Sequence, residues 1–94
     1  WGQESVSIES SDFPHTIFLN HLKLDKIEKI SIYKQKAGEE KVLITTISDF
    51  SNLFNSLIPF TWETSPGEGE WGLVAETVVG GVGVSEERLG VVVR

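Results

Sequence analysis

Two segments rich in β-forming residues dominate the middle of the sequence. In Lys26–Lys36, apolar isoleucines alternate with more polar residues, and Lys41–Ile47 consists largely of Val, Leu, Ile and Thr. β-Branched side chains fit the pleated surface of a sheet. The segments are separated only by residues 37–40, which include Gly38. Two such runs joined by a short glycine-containing segment predict an antiparallel hairpin.

A short helix is predicted directly after this hairpin. Ser48 is a suitable N-cap residue, and Pro59 ends a helix near Leu57 or Ile58. Between them, four apolar residues have the spacing of one helix face: Phe50, Leu53, Phe54 and Leu57. Three helical turns are unstable alone, so we expect this face to pack on the hairpin. The hairpin face expected to receive it carries Ile30, Ile32, Val42 and Ile44.

Shorter β-like segments lie on both sides of the hairpin and the predicted helix. They are Ser5–Ser10, His15–Asn20, Phe60–Thr64, Trp71–Val79, Val82–Ser85 and Leu89–Val93. This order of elements predicts an α+β fold, in which one short helix packs on one face of an antiparallel sheet. The length of 94 residues is that of one domain, so residues 1–94 are expected to fold as a unit.

The charge distribution narrows the classes of partner. The net charge is −6, every lysine lies between Lys23 and Lys41, and the segment 51–94 is acidic. Nucleic-acid binding normally requires a basic surface, so no nucleic-acid partner is expected. No apolar run approaches the ~20 residues of a membrane-spanning helix, so we expect no membrane insertion by this segment.

Residue patterns that would indicate catalysis or metal binding are missing from the sequence. There is no cysteine, and two histidines, His15 and His21, do not make a tetrahedral zinc site. No serine lies in a Gly-x-Ser-x-Gly motif. The glycines from Gly80 to Gly83 are not followed by the Lys-Ser/Thr pair of a phosphate-binding loop. The chain is therefore predicted to be non-enzymatic and to use no cofactor.

The segment from Trp62 to Trp71 is the best candidate for a contact surface. Its two tryptophans flank an acidic loop that contains Pro66, Gly67 and Gly69. Tryptophan often anchors protein interfaces, so a protein partner is expected, with the oligomeric state left open. The predicted partner-binding residues are Trp62, Glu63, Glu68, Glu70 and Trp71. The alternative is that both tryptophans fill the core and that the loop merely connects two strands.

The segments Lys26–Tyr33 and Val42–Leu57 resemble small extracytoplasmic domains of Gram-positive bacteria, often lipoproteins of unassigned role. Those domains have a Lys/Ile-alternating strand, a hairpin, and a strand that runs into a short helix. The resemblance covers about a third of the chain and implies an exported or membrane-tethered accessory domain, with an extracytoplasmic or cell-surface location. It implies no functional residue.

A second resemblance concerns the glycine-rich segment 78–84. Val78-Val79-Gly80-Gly81 is similar to the Gln-Val-Val-Ala-Gly hairpin of cystatin-type inhibitors of cysteine proteases, and Gly2 is similar to their N-terminal glycine. Thr77 stands in place of the glutamine, and neither the long preceding helix nor the later Pro-Trp hairpin is present. This resemblance implies an alternative function, a small protease inhibitor or immunity-type protein that uses this hairpin.

Overall fold

The computed structural model describes residues 5–20, 27–48, 57–80 and 83–94. Within these ranges the chain forms seven β-strands and one short 3-10 turn, Ser10–Asp12. The strands are β1 Ser5–Ile8, β2 His15–Asn20, β3 Ile27–Lys36, β4 Val42–Ile47, β5 Leu57–Trp62, β6 Gly69–Val79 and β7 Gly83–Val93.

The strands form two sheets. The larger sheet has the order β1-β7-β6-β3-β4. Its neighbouring strands are antiparallel, except that β1 runs parallel to β7. The smaller sheet is an antiparallel ribbon of β2 and β5. The first and last strands of the described chain are therefore paired, with Ser5 opposite Gly90 and Ile8 opposite Val93.

The hydrophobic core lies between the ribbon and one side of the larger sheet, which we call the inner face. The ribbon contributes Leu19 from β2 and alternate residues of β5, namely Ile58, Phe60 and Trp62. The sheet contributes Ile8, Ile27, Ile30, Ile32, Leu73, Ala75, Leu89, Val91 and Val93. Because successive side chains of a strand point to opposite faces, every second residue enters this core. The opposite side of the sheet, the outer face, carries Tyr33, Val74, Glu76, Glu86 and Arg88.

The predicted α+β fold class is wrong, because the described chain is built from strands and contains no α-helix. The predicted helix falls mainly on residues 49–56, which lie outside the described ranges, so Phe50, Leu53 and Phe54 receive no structural account. Leu57, the last residue of the predicted apolar face, instead begins strand β5.

The inner face that was expected to receive a helix is covered by the ribbon. Ile30 and Ile32 belong to the same buried cluster as residues of β5, whereas Val42 is 55% exposed. Pro59, interpreted as the end of a helix, lies inside β5 opposite Phe18. A proline is tolerated in an edge strand because its missing N–H can face away from the partner strand. In the described chain, β5 pairs with β2 and with no other strand.

Most of the predicted strands are confirmed, with small shifts at their ends. The β3–β4 hairpin forms, and β1 is an edge strand that turns Val6 and Ile8 toward the core. One further correction concerns the C-terminal segment. The two strands predicted at Val82–Ser85 and Leu89–Val93 are a single strand, β7, since Glu86, Glu87 and Arg88 also pair with β6.

Candidate functional site

The predicted contact segment lies at one end of the larger sheet. The connection between β5 and β6 spans residues 63–68, and the turn between β3 and β4 spans residues 37–41. These two segments are neighbours because Lys36, the last residue of β3, pairs with Trp71 near the start of β6. The register between β3 and β6 therefore brings β3 residues to the segment that the sequence singled out.

Trp62 is a core residue. Its side chain is only 2% exposed. It makes an edge-to-face contact with the ring of Phe13, with the two ring centroids 5.5 Å apart. The ring of Phe60 lies next to it, at 6.5 Å between centroids. A buried tryptophan contributes a large apolar area to folding. Trp62 is therefore not part of the accessible surface at this end of the sheet.

Trp71 is half-buried and has partners on several sides. Its indole N–H donates a hydrogen bond of 3.0 Å to the carbonyl oxygen of Gly67. The ammonium groups of Lys34 and Lys36 lie 5.8 and 5.7 Å from the centroid of its ring, within the range of cation–π attraction. Part of the Trp71 side chain packs against the core. The ring is thus held in a defined orientation while part of it remains accessible.

A shallow cavity of about 330 Å³ lies beside Trp71. It is lined by Gln35, Lys36, Ala37, Gly38, Glu70, Trp71 and Gly72. Two of the five predicted partner-binding residues, Glu70 and Trp71, are therefore brought together at one cavity. Gly72 lines the cavity with its backbone only.

Gln35 organises the wall of this cavity, although the sequence analysis did not single it out. Its side-chain N–H donates to the carbonyl oxygen of Glu39 at 2.9 Å, which ties the β3–β4 turn to the strand. Its side-chain oxygen accepts a 2.9 Å hydrogen bond from the guanidinium of Arg88. Gln35 and Lys36 could not be found from strand alternation, because the pairing register between β3 and β6 is a tertiary property.

The three predicted glutamates are all exposed. Glu63 and Glu68 lie in the β5–β6 connection, and Glu70 lies in the second position of β6. Glu63 lines a different cavity, about 340 Å³ in volume, between β4 and β5. The structure thus distributes the predicted acidic residues around this end of the molecule, with only Glu70 at the Trp71 cavity.

A network of charged side chains lies on the outer face. Lys41 forms an ion pair with Glu76 and lies 4.0 Å from a carboxylate oxygen of Glu86. The hydrogen bond from Lys41 to Glu76 raises the pKa of Lys41 above its usual value of 10.5, against a smaller opposing effect of desolvation. Arg88 donates to Glu86 at 2.8 Å and extends the network toward Gln35.

The glycine-rich segment joins two long strands. Val78 pairs with Val84 and Val79 with Gly83, so β6 and β7 form one hairpin. Val84 is 65% exposed close to its tip. Gly81 and Val82 lie outside the described ranges.

The described residues show neither a metal-binding cluster nor a membrane-spanning helix. Within these residues, no group of three or more His, Asp or Glu side chains is arranged to hold a metal ion. His15 is half-buried opposite Trp62, and His21 is outside the description. None of the described elements is a helix with the length and hydropathy needed to cross a bilayer.

Comparison with known proteins adds no family assignment. The sequence matches no protein-family model and no curated protein.

Proposed function

We propose that this chain is a non-catalytic binding module for a protein partner. The proposed contact surface consists of the Trp71 cavity and the acidic residues around it, namely Gln35, Lys36, Glu63, Glu68, Glu70 and Trp71. This surface omits Trp62, whose side chain is 2% exposed. Lys36 and Gln35 take its place because they line the cavity with Trp71.

One observation carries this proposal, the partly accessible tryptophan at an open cavity. Trp71 is anchored by its hydrogen bond to Gly67 and lies beside a space of about 330 Å³. A preoriented aromatic ring loses little conformational entropy on binding, which is why tryptophan is enriched among the residues that dominate interface energies. The volume is at the lower end of the range for small-molecule sites. It suits one or two side chains of a protein better than an enclosed metabolite.

Selection of peptide ligands tests the proposed surface. A random-peptide display library selected against the full chain should yield peptides whose binding weakens about fivefold or more in Glu70→Lys and in Trp71→Leu, the loss typical of an interface residue that contributes measurably. Glu28→Lys is the matched control, because Glu28 is exposed in β3 close to the end opposite Lys36.

Thermal melting of each variant should accompany these measurements, since Trp71 also packs against the core. The proposal fails if folded Glu70→Lys and Trp71→Leu proteins bind the selected peptides as tightly as the unmodified chain and Glu28→Lys do.

A second candidate function is a small protease inhibitor or immunity-type protein that uses the hairpin 78–84. It is supported by the continuous β6–β7 hairpin and by the exposure of Val84 near its tip. In this function, the exposed Val84 enters the cleft of a cysteine protease. Assays with papain at micromolar concentrations of the chain separate the two proposals, because the absence of any inhibition removes the cystatin-like version.

An extracytoplasmic or cell-surface location is also proposed. Its support is the resemblance of Lys26–Tyr33 and Val42–Leu57 to exported accessory domains of Gram-positive bacteria. Immunodetection in fractionated cells of the source organism provides the test. Recovery of the protein only in the cytosolic fraction would contradict this location.

A further inference from the structure

Strand β4 forms one edge of the larger sheet as the described strands build it. It is the last strand in the order β1-β7-β6-β3-β4, and among the described strands it pairs with β3 only. Its six residues, Val42–Ile47, include no charged residue, proline or glycine. An edge strand presents unpaired backbone N–H and C=O groups, and natural proteins usually protect such an edge with charges, proline or short length.

Two other strands that end a sheet, β1 and β5, carry protective features that β4 lacks. At the far edge of the same sheet, β1 has only four residues. In the ribbon, β5 carries Pro59 in its middle. β4 has one protective feature, a β-bulge at Ile44, where Ile32 pairs with Thr45 and the next residue, Tyr33, pairs with Leu43.

Exposed apolar side chains flank this edge on both faces of the sheet. Val42 is 55% and Leu43 is 54% exposed, and they point to opposite faces because Val42 pairs with Lys34 and Leu43 with Tyr33. On the inner face, a groove of about 340 Å³ continues from Ile44 and Ile47 of β4 to Pro59 and Phe60 of β5. A strand added at this edge would therefore gain both backbone hydrogen bonds and apolar contacts.

We propose that β4 pairs with β4 of a second copy of this chain, antiparallel and around a two-fold axis between Ile44 and Thr45. The strand is self-complementary in this register. Val42 of one copy meets Ile47 of the other, Leu43 meets Thr46, and Ile44 meets Thr45. Each pair occurs twice, and none of them opposes like charges, because the strand has no charge. The resulting dimer is isologous and joins the two larger sheets into one.

The size of the contact, the bulge and the net charge of each copy set the strength of the association. The contact is one six-residue strand per copy, which is a small interface, and the bulge adds local twist. Each copy carries a net charge of −6, so the copies repel each other at low ionic strength. Because added salt shortens the range of this repulsion, from about 30 Å at 0.01 M to about 8 Å at 0.15 M, the dimer should tighten as salt is added.

Sedimentation equilibrium of the full chain tests this pairing. The unmodified chain should dimerise reversibly. In the double variant Leu43→Lys/Thr46→Lys, the affinity of the dimer should fall by about tenfold or more, because lysine then lies opposite lysine twice. Leu43→Lys/Thr46→Glu should recover the dimer, because the same two contacts then join opposite charges. Val84→Lys is the control, since Val84 is a 65% exposed valine on β7, away from β4.

Two results would overturn the proposal. One is an unmodified chain that stays monomeric up to millimolar concentration, which would leave a strand of a different protein as the occupant of this edge. The other is equal dimerisation of all four proteins, which would locate the interface elsewhere. Circular dichroism of each variant checks that the sheet is intact. The pairing is independent of the Trp71 surface, so loss of peptide binding in Glu70→Lys should leave the dimer unchanged.

Discussion

The two tryptophans at the ends of the β5–β6 connection differ in exposure because of their places in the strands. Trp62 ends β5 on the face that packs into the core, whereas Trp71 lies where the inner face is only partly covered. The same side chain therefore stabilises the fold in one case and remains accessible in the other. Exposure depends on the position of each strand against the second sheet, which the local sequence does not encode.

Replacement of Trp62 measures its contribution to the core. Trp62→Ala should lower the free energy of unfolding by about 3–5 kcal/mol, the usual cost of removing a buried aromatic side chain. Trp71→Ala should cost less, because Trp71 is only half-buried. Urea denaturation of both variants gives the comparison. A larger loss for Trp71→Ala would mean that the roles of the two residues are reversed.

The pKa of Lys41 gives a pH dependence that belongs to a single ion pair. The hydrogen bond to Glu76 raises the pKa of Lys41 above 10.5 in the folded state, so the charged form stabilises the fold below that pH. This stabilisation is lost as the pH rises through the raised pKa. Lys41→Met should therefore melt at a slightly lower temperature than the unmodified chain near pH 7. The difference in melting temperature should shrink above pH 10.5. Thermal melting of both proteins from neutral to strongly alkaline pH is the measurement. A difference that stays constant with pH would contradict the role of the ion pair.

At the scale of secondary structure, β5 shows how one segment satisfies two patterns. Leu57 completes a helical spacing with the residues before it, but it also starts the alternation in which Ile58, Phe60 and Trp62 are buried. Pro59 argues against a central strand and is acceptable in a ribbon whose other edge is free of described partners. The conflict is decided by pairing with β2, a contact between residues far apart in sequence.

The start of β6 depends on glycine at one position and not at another. Gly69 has a φ of +132°, a conformation that other residues rarely adopt, whereas Gly72 has an ordinary strand conformation. Gly69→Ala should lower the free energy of unfolding by about 1–3 kcal/mol. Gly72→Ala should be neutral or stabilising, because its Cβ would lie 3.7 Å from the nearest atom, an ordinary contact. Chemical denaturation of the pair is the measurement, and equal losses would contradict the conformational explanation.

At the scale of the whole molecule, the first and last described strands pair and close the larger sheet. β1 pairs with β7, and backbone hydrogen bonds join Ser10 to Arg94 at 2.7 Å and Arg94 to Ile8 at 3.0 Å. Bringing together segments so far apart in the sequence costs chain entropy, and burial of the Ile8 side chain helps to offset that cost. The parallel β1–β7 pair therefore completes the core at the edge of the sheet.

Ile8 tests the energetic importance of this closure. It is 2% exposed although it lies in an edge strand. Ile8→Ala should lower the free energy of unfolding by about 2–5 kcal/mol. Val84→Ala, at an exposed position of the neighbouring strand, should change it by about 0.5 kcal/mol or less. If urea denaturation shows a negligible loss for Ile8→Ala, β1 does not seal the core.

Local sequence determined the strands that alternate clearly, the β3–β4 hairpin and the acidic loop before β6, because periodicity and turn chemistry act over a few residues. Tertiary structure alone decided that the ribbon of β2 and β5 covers the inner face, that β7 is one strand, and that Gln35 and Lys36 meet Trp71. It also decided that Trp62 is buried and that, among the described strands, β4 pairs with β3 alone. The physical reason is that burial, sheet order and register come from pairings between distant segments, and a residue's exposure depends on what those pairings bring to it.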